Sequence, residues 1–136
     1  MSDTMDISAS GLVAQRLRMN VIANNLANAN TTRSAFGELI PYRRKDALFA
    51  AAPARGGDPL QGVTVPLIAD DDSPFRVEKN PGHPDADPET GMVTLPNVDP
   101  LMEMVDMIDA TRAYEANVTA FEATKSMSAA SLRLLA

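Results

Sequence analysis

The stretch that decides the fold is Pro100-Leu-Met-Glu-Met-Val-Asp-Met-Ile-Asp-Ala-Thr-Arg-Ala-Tyr-Glu-Ala-Asn-Val118, which runs on to Leu135-Ala136. After Pro100 it holds neither proline nor glycine. Met104, Thr111, Val118, Lys125 and Leu132 are spaced by seven, and Met107, Tyr114, Phe121, Ser128 and Leu135 repeat three residues further on. Those spacings place the side chains on one stripe of a helix. Asp99 suits the N-cap, and Pro100 suits the first helical position, where a missing N–H costs nothing. Glu103, Asp106 and Asp109 lie toward the positive end of the helix dipole and Arg133 toward the negative end. At about 1.5 Å per residue the helix reaches roughly 50 Å. A stripe of that length needs a partner helix, in this chain or in a neighbour.

Working outward, all ten prolines lie between Pro41 and Pro100, and six of the seven glycines lie between Gly37 and Gly91. The chain is thus divided into a helix-permissive start, a turn-rich middle and a helix-permissive end. In the start, Met5, Leu12, Met19 and Leu26 are seven apart, with Ile22, Ala23 and Ala29 widening the stripe. This predicts a helix over residues 5–28, weakened at Gly11 by about 1 kcal/mol relative to alanine. The Asn- and Thr-rich run from Asn24 to Thr32 competes for backbone hydrogen bonds and predicts a frayed end and an exit turn. Strands are expected within Ile40–Phe49, Gly62–Ala69, Pro74–Lys79 and Gly91–Leu95. Turns are expected at Arg55–Pro59, Asp70–Pro74, Asn80–Gly82 and Asp87–Gly91. Internal prolines confine these strands to edges or short pieces. The stretch from Ala50 to Gly62 is expected to be poorly ordered in the isolated chain. The fold class expected is α with a small irregular β insertion: long terminal helices pairing as a coiled-coil-like hairpin, with short strands and loops between them.

At 136 residues the chain has room for one domain, or one domain with an insertion. Its hydrophobic content is 45% and its aromatic content 4%, so a core would be built of Leu, Val, Ile, Met and Ala. A net charge of −6, with no basic block beyond Arg43-Arg44-Lys45, argues against a nucleic-acid partner. The absence of cysteine excludes disulfides, thiol catalysis and Cys-ligated metals. No apolar run approaches a membrane span. The start, Met1-Ser-Asp-Thr-Met-Asp-Ile7, is unlike the basic and apolar opening of a secretory signal, which taken alone places the chain in the cytoplasm.

The residues that could carry chemistry lack company. His83, the one histidine, sits in the turn Gly82-His-Pro84. Asp70-Asp71-Asp72 and Asp85, Asp87 and Glu89 could attract a cation. However, Pro88 interrupts the second group and no glutamate falls where a calcium loop needs one, so solvated loop acids are the expectation. No serine has a nucleophile-elbow context, and no glycine-rich phosphate loop is present. Met102, Met104 and Met107 at helical spacing read as packing residues. Arg43-Arg44-Lys45 beside Tyr42 reads as a solvated strand edge. No catalytic residue, cofactor or metal is expected. What survives is interaction: the stripes contain Gln15, Lys125 and Ser128, and small side chains on several faces let helices approach from more than one side.

Asn24-Asn-Leu-Ala-Asn-Ala-Asn-Thr-Thr32 and Pro96–Val118 resemble the N- and C-terminal signatures of the bacterial flagellar rod and hook family. Asn24, Asn25 and Asn28, together with Tyr114, Glu115, Ala116 and Asn117, are the motif positions. Pro41-Tyr-Arg-Arg-Lys45 with Phe49, Asn80-Pro-Gly-His-Pro84 and the short length point to a proximal-rod member. The run Thr31–Phe36 is more compact than in many relatives. The resemblance implies a structural protein and not an enzyme. It implies that residues 1–30 and 99–136 form a discontinuous inner domain of the rod and that 31–98 faces outward. It further implies self-assembly with copies of itself and other rod proteins into a torque-transmitting shaft, and contact with a membrane ring. Delivery would be through the flagellar type III export apparatus, to the periplasm, without a cleaved signal. Neither nucleic acid nor a small-molecule substrate is implied. Within that frame the packing residues are Leu12, Met19, Ile22 and Leu26 against Met104, Ile108, Val118, Phe121, Leu132 and Leu135. Asn24, Asn25, Asn28 and Asn117 are the candidates for register-fixing hydrogen bonds at helix interfaces. The alternatives are another rod or hook subunit, or a soluble helical adaptor or export chaperone.

Overall fold

The structure, a computed structural model, describes residues 2–53 and 62–135, with the side chains of Ser2, Asp3, Leu134 and Leu135 outside that description. Helix α1 spans Ser2–Ala27 and helix α2 spans Pro100–Leu135. Between them lie strands β1 (Lys45–Ala51), β2 (Val63–Asp70), β3 (Arg76–Lys79) and β4 (Met92–Leu95). The strands pair as β1 with β2 and β3 with β4. The chain is therefore α with small β pairs, as the proline and glycine distribution predicts.

Local chemistry sets the boundaries. Asp99 caps α2: its Oδ1 accepts from the N–H of Leu101 at 2.9 Å, and its carbonyl accepts from the N–H of Glu103. Helix α1 ends without a glycine. The Asn28 side-chain amide instead turns back to the carbonyl and side-chain oxygens of Asn24, at 2.9 and 2.8 Å, and shares that last-turn carbonyl with its own backbone N–H at 3.1 Å. Strand β1 begins later than expected, at Lys45, because Pro41 cannot donate to a ladder and Tyr42 to Arg44 are engaged in other bonds. Of the stretch 50–62, Ala50 and Ala51 finish β1, Ala52 donates to the Gly62 carbonyl at 2.8 Å, and residues 54–61, which include the expected Arg55–Pro59 turn, lie outside the described residues.

Strands β3 and β4 run antiparallel, from Arg76 opposite Leu95 to Lys79 opposite Met92. Val93 and Leu95 point inward while β3 stays exposed, the two-residue alternation of a half-buried hairpin. Gly91 closes the connection with φ of +66°, and an added Cβ there would meet the Pro81 ring at 3.0 Å, so both the conformation and the space call for glycine.

The chain forms two compact units. The first comprises Met1–Asn20, Ala47–Ile68 and Ile108–Ala136, and the second Val21–Asp46 and Ala69–Met107. The second buries Val21, Ile22, Ala29, Val93, Leu95, Pro96 and Val98. In the first, small residues let elements approach. Ala14 and Ala110 are buried, and a Cβ on Gly11 would stand 3.1 Å from the Asn117 amide. A Cβ on Gly62 would lie 2.5 Å from Ser10 Oγ, which accepts from the N–H of Val63 at 2.9 Å. Thr111 Oγ1 donates to Met19 Sδ at 3.7 Å. Gly11, a liability for helix propensity, is thus the point where α1 comes up against α2.

Candidate functional site: a buried polar lock in the second unit

The second unit is organised around Asn25, which is 0% exposed. A buried amide has to be paired on all sides, and this one is. Its Nδ2 donates to the Lys45 carbonyl at 2.8 Å and to Glu103 Oε2 at 3.2 Å. Its Oδ1 accepts from the Lys45 N–H at 3.0 Å and from the Tyr42 hydroxyl at 2.9 Å. One side chain so joins the end of α1, the entry to β1 and the start of α2, across sequence separations of 20 and 78 residues.

Glu103 is the charge at the centre, 1% exposed. A carboxylate at that depth is tolerated only when it is paired and hydrogen-bonded. Arg44 supplies the pairing, with Nε donating to Glu103 Oε1 at 2.6 Å. The same guanidinium reaches Asp46 at 2.5 Å, Asp71 at 3.4 Å and Asp106 at 3.6 Å. Its planar fork of donors is what allows one side chain to serve several carboxylates. Burial works against the Arg44 charge, but the Glu103 hydrogen bond and charge, followed by those of Asp46, override it and raise the pKa above the usual arginine value. Burial pushes the Tyr42 hydroxyl up, assisted by the charges of Asp70 and Glu103.

The backbone around Arg44 is held as well. Its N–H donates to Asn97 Oδ1 at 2.8 Å, and its carbonyl accepts from the Asp71 N–H at 2.8 Å. Asn97 Nδ2 donates to the Asp71 carbonyl at 3.0 Å and to Ser73 Oγ at 2.9 Å. Arg43 donates to the Asp71 carbonyl at 2.8 Å and lies over the Phe75 ring, 4.4 Å from its centroid. The Asp71 carboxyl is held below the usual range by the Ser73 N–H and hydroxyl, with Arg44 adding to the effect.

A second brace lies in the same unit. Asp85 Oδ2 accepts from Thr32 Oγ1 at 2.6 Å, and Oδ1 accepts from Arg33 Nε at 2.8 Å and is ion-paired with its Nη2. The Thr32 hydrogen bond, then Arg33, holds the Asp85 carboxyl below the usual range. The Glu89 N–H does the same for Asp87. These acids bond to their own chain, and among the described residues no group of three or more His, Cys, Asp or Glu is placed to hold a metal. The arrangement offers a mechanical joint, with polar groups spent on one another.

Of the residues singled out in the sequence, Ile22 and Asn25 are buried, and Leu12, Met19, Tyr114, Asn117, Val118 and Phe121 are half-buried. Leu26, Met104, Glu115 and Ala116 are exposed, as are Ile108 at 59% and Leu132 at 67%. Asn24 and Asn28 bond to each other, Asn117 stands against Gly11, and the side chain of Leu135 lies outside the described residues. Sequence reasoning missed Arg44, read as a solvated strand edge, and Glu103, read as a dipole acid. It also missed Asn97 and Asp85. One signal was available: Asn25, Tyr42 with Arg44, and Glu103 each fall in one of three segments that carry the family resemblance.

The comparisons with known proteins agree on one family. Residues 5–33 match the family model described as "Flagella basal body rod protein", and residues 89–134 match "Flagellar basal body rod FlgEFG protein C-terminal". Among curated proteins, the chain is similar to the flagellar basal-body rod protein FlgC of Bacillus subtilis, at 46% identity with 91% of each chain covered. It is 41% identical to FlgC of Borreliella burgdorferi, covering 97% of this chain and 95% of that one. With FlgC of Salmonella typhimurium the identity is 40%, over 95% of this chain and 93% of that one. Identity at this level along nearly the whole chain, with the rod signatures at both ends, places the chain in the FlgC family of flagellar basal-body rod proteins.

Proposed function

We propose that this chain is a structural subunit of the proximal rod of the bacterial flagellar basal body, and not an enzyme. In this reading it joins copies of itself and other rod proteins in the shaft that transmits torque. The observation that carries the reading is the surface of α2. Leu101, Met104, Val105 and Ile108 follow one another at helical steps and are all exposed, as is Leu132 near the other end. A helix of 36 residues that leaves such a row open has apolar surface to bury against neighbours.

The division of labour follows the chemistry. The lock around Asn25 and Glu103 fixes the second unit without consuming the apolar face of α2. The terminal helices, residues 1–30 and 99–136, make the inner domain of the rod, and residues 31–98 lie outward. Gly11 against Asn117 and Met19 against Thr111 support an antiparallel, coiled-coil-like pairing of the two ends, since the partner number falls as the α1 number rises. Heterologous contacts among copies do not close, so they propagate along an axis. The subunit reaches the periplasm through the flagellar export apparatus and meets the membrane ring there.

The test is assembly of variants that keep the fold. Leu132→Asp places a charge on the exposed face, and Val118→Asp places one on a half-buried position. Both are expected to abolish rod assembly and swimming, with the helical circular dichroism of Leu132→Asp unchanged. Basal bodies carrying Leu132→Asp at normal levels would overturn the packing assignment.

A further inference from the structure

The turn from Arg33 to Ile40 is braced by hydrogen bonds and holds an aromatic ring in solvent. The Ser34 N–H donates to the Glu38 carbonyl at 2.9 Å, that of Gly37 to the Ser34 carbonyl at 2.9 Å and that of Ile40 to the Glu38 carbonyl at 2.8 Å. Gly37 has φ of +83°, a conformation that favours glycine. Arg33, anchored on Asp85, donates from Nη1 to the Gly37 carbonyl at 2.9 Å. At the tip of this braced turn Phe36 is 93% exposed. Aromatic rings are among the strongest anchors of protein interfaces when they enter a pocket.

The first unit carries a hollow suited to such a ring. Ser10, Val13, Ala14 and Leu17 of α1 and Val63 and Val65 of β2 line a groove of about 300 Å³. Ala14 gives it depth, and Val13 and Val63 stand exposed at its edge. The charges beside the two features match. Glu38 is exposed two residues from Phe36, and Arg16 is exposed one helical turn from Val13.

We propose that Phe36 of one copy seats in the α1/β2 groove of the next copy, with Glu38 meeting Arg16. Knob and groove are different patches of the chain, and the contact is heterologous in this proposal, the ring of one copy entering the groove of the next. Such a contact repeats along a row of subunits instead of closing in a pair, which is what a polymerising subunit requires. The proposal rests on the reading of the chain as a rod subunit, and it assigns the partner of this surface as a second copy.

The chain lacks cysteine, so the introduced thiols are the only ones it carries. Phe36→Cys and Val13→Cys are combined in the full-length chain, expressed in a flagellated strain in place of its own copy. Purified basal bodies are treated with a short bismaleimide and immunoblotted. The expected result is a ladder of linked copies in the double variant and monomer in either single variant. Self-linking of Phe36→Cys alone, linkage of the Phe36→Cys thiol to a different rod protein, or monomer only in basal bodies that contain the chain would each overturn the proposal. Absence of the parent chain, carrying neither cysteine, from basal bodies would instead overturn the rod reading itself. A charge swap supplies a second readout. Glu38→Arg and Arg16→Glu should each lower the amount of chain in basal bodies severalfold, and together restore it. No restoration, with circular dichroism unchanged, would also sink the proposal.

Discussion

Replacing Asn25 by aspartate keeps the shape of the side chain and reverses what it offers its neighbours. Two donated bonds, to the Lys45 carbonyl at 2.8 Å and to Glu103 Oε2 at 3.2 Å, become oxygen facing oxygen. Each buried group left unpaired costs about 1–3 kcal/mol. A second carboxylate about 3 Å from Glu103 adds repulsion on the order of 5 kcal/mol at an effective dielectric of about 20, relieved in part by one proton shared within the pair. The expected loss is therefore about 3–6 kcal/mol at pH 7, against a typical total of about 5–15 for a domain. The loss has a pH signature. Below the carboxylate range the introduced carboxyl is protonated and can donate to Glu103, so the gap to the parent narrows as pH falls. Asn25→Ala, which removes all four bonds without adding charge, should cost at least about 4 kcal/mol, at about 1 kcal/mol or more for each group left unpaired, and show no such narrowing. The assay is urea unfolding followed through Tyr42 emission in a Tyr114→Phe background, since these are the only two tyrosines and there is no tryptophan. A cost for Asn25→Asp below about 1 kcal/mol, or a gap that does not change with pH, would refute the assignment of Asn25 as the keystone.

Arg44→Lys keeps the charge but loses the fork that serves Glu103 and Asp46 together, and is expected to cost about 1–2 kcal/mol in the same assay. The Asp85 carboxyl is held below its ordinary value, so its contribution is fully present above about pH 4 and is lost as pH falls through the lower, folded value. Thermal melts of Asp85→Asn should thus lie below the parent at neutral pH and converge with it in acid; parallel curves down to the acid limit would contradict the brace. Gly62→Ala forces a Cβ onto Ser10 Oγ and displaces the bond from the Val63 N–H, an expected loss of about 1–2 kcal/mol that Ser10→Gly partly relieves. Additive losses in the double variant would show that the two residues do not meet.

The two helices and four strands were legible because their signals are local. Asp99-Pro100 marks a helix start, the Asn-rich run marks an exit, and prolines and glycines fence the strands. The candidate site was only partly legible. Asn25 could be named because a recurring asparagine near a helix end invites a polar role, but its partners lie 20 and 78 residues away, and no periodicity reaches that far. Glu103 satisfies the helix dipole whether or not it is buried, so its sequence position does not separate the two cases. Arg44 reads as surface charge until the four acids around it are seen, and they come from three separate segments. Gly11 shows the same limit from the other direction. Propensity counts it as a weakness, and only the approach of Asn117 gives it a purpose.

The central claim is that a polar lock fixes the second unit while the helical ends remain open for neighbours. Hydrogen exchange on the purified chain, repeated on assembled basal bodies, tests it most directly. The account predicts that amides in 21–46 and 69–107 are protected in both samples, and that those in 122–133, the largely exposed end of α2, exchange readily in the isolated chain and slow markedly on assembly. Strong protection of 122–133 in the isolated chain, with no further slowing in the basal body, would contradict it.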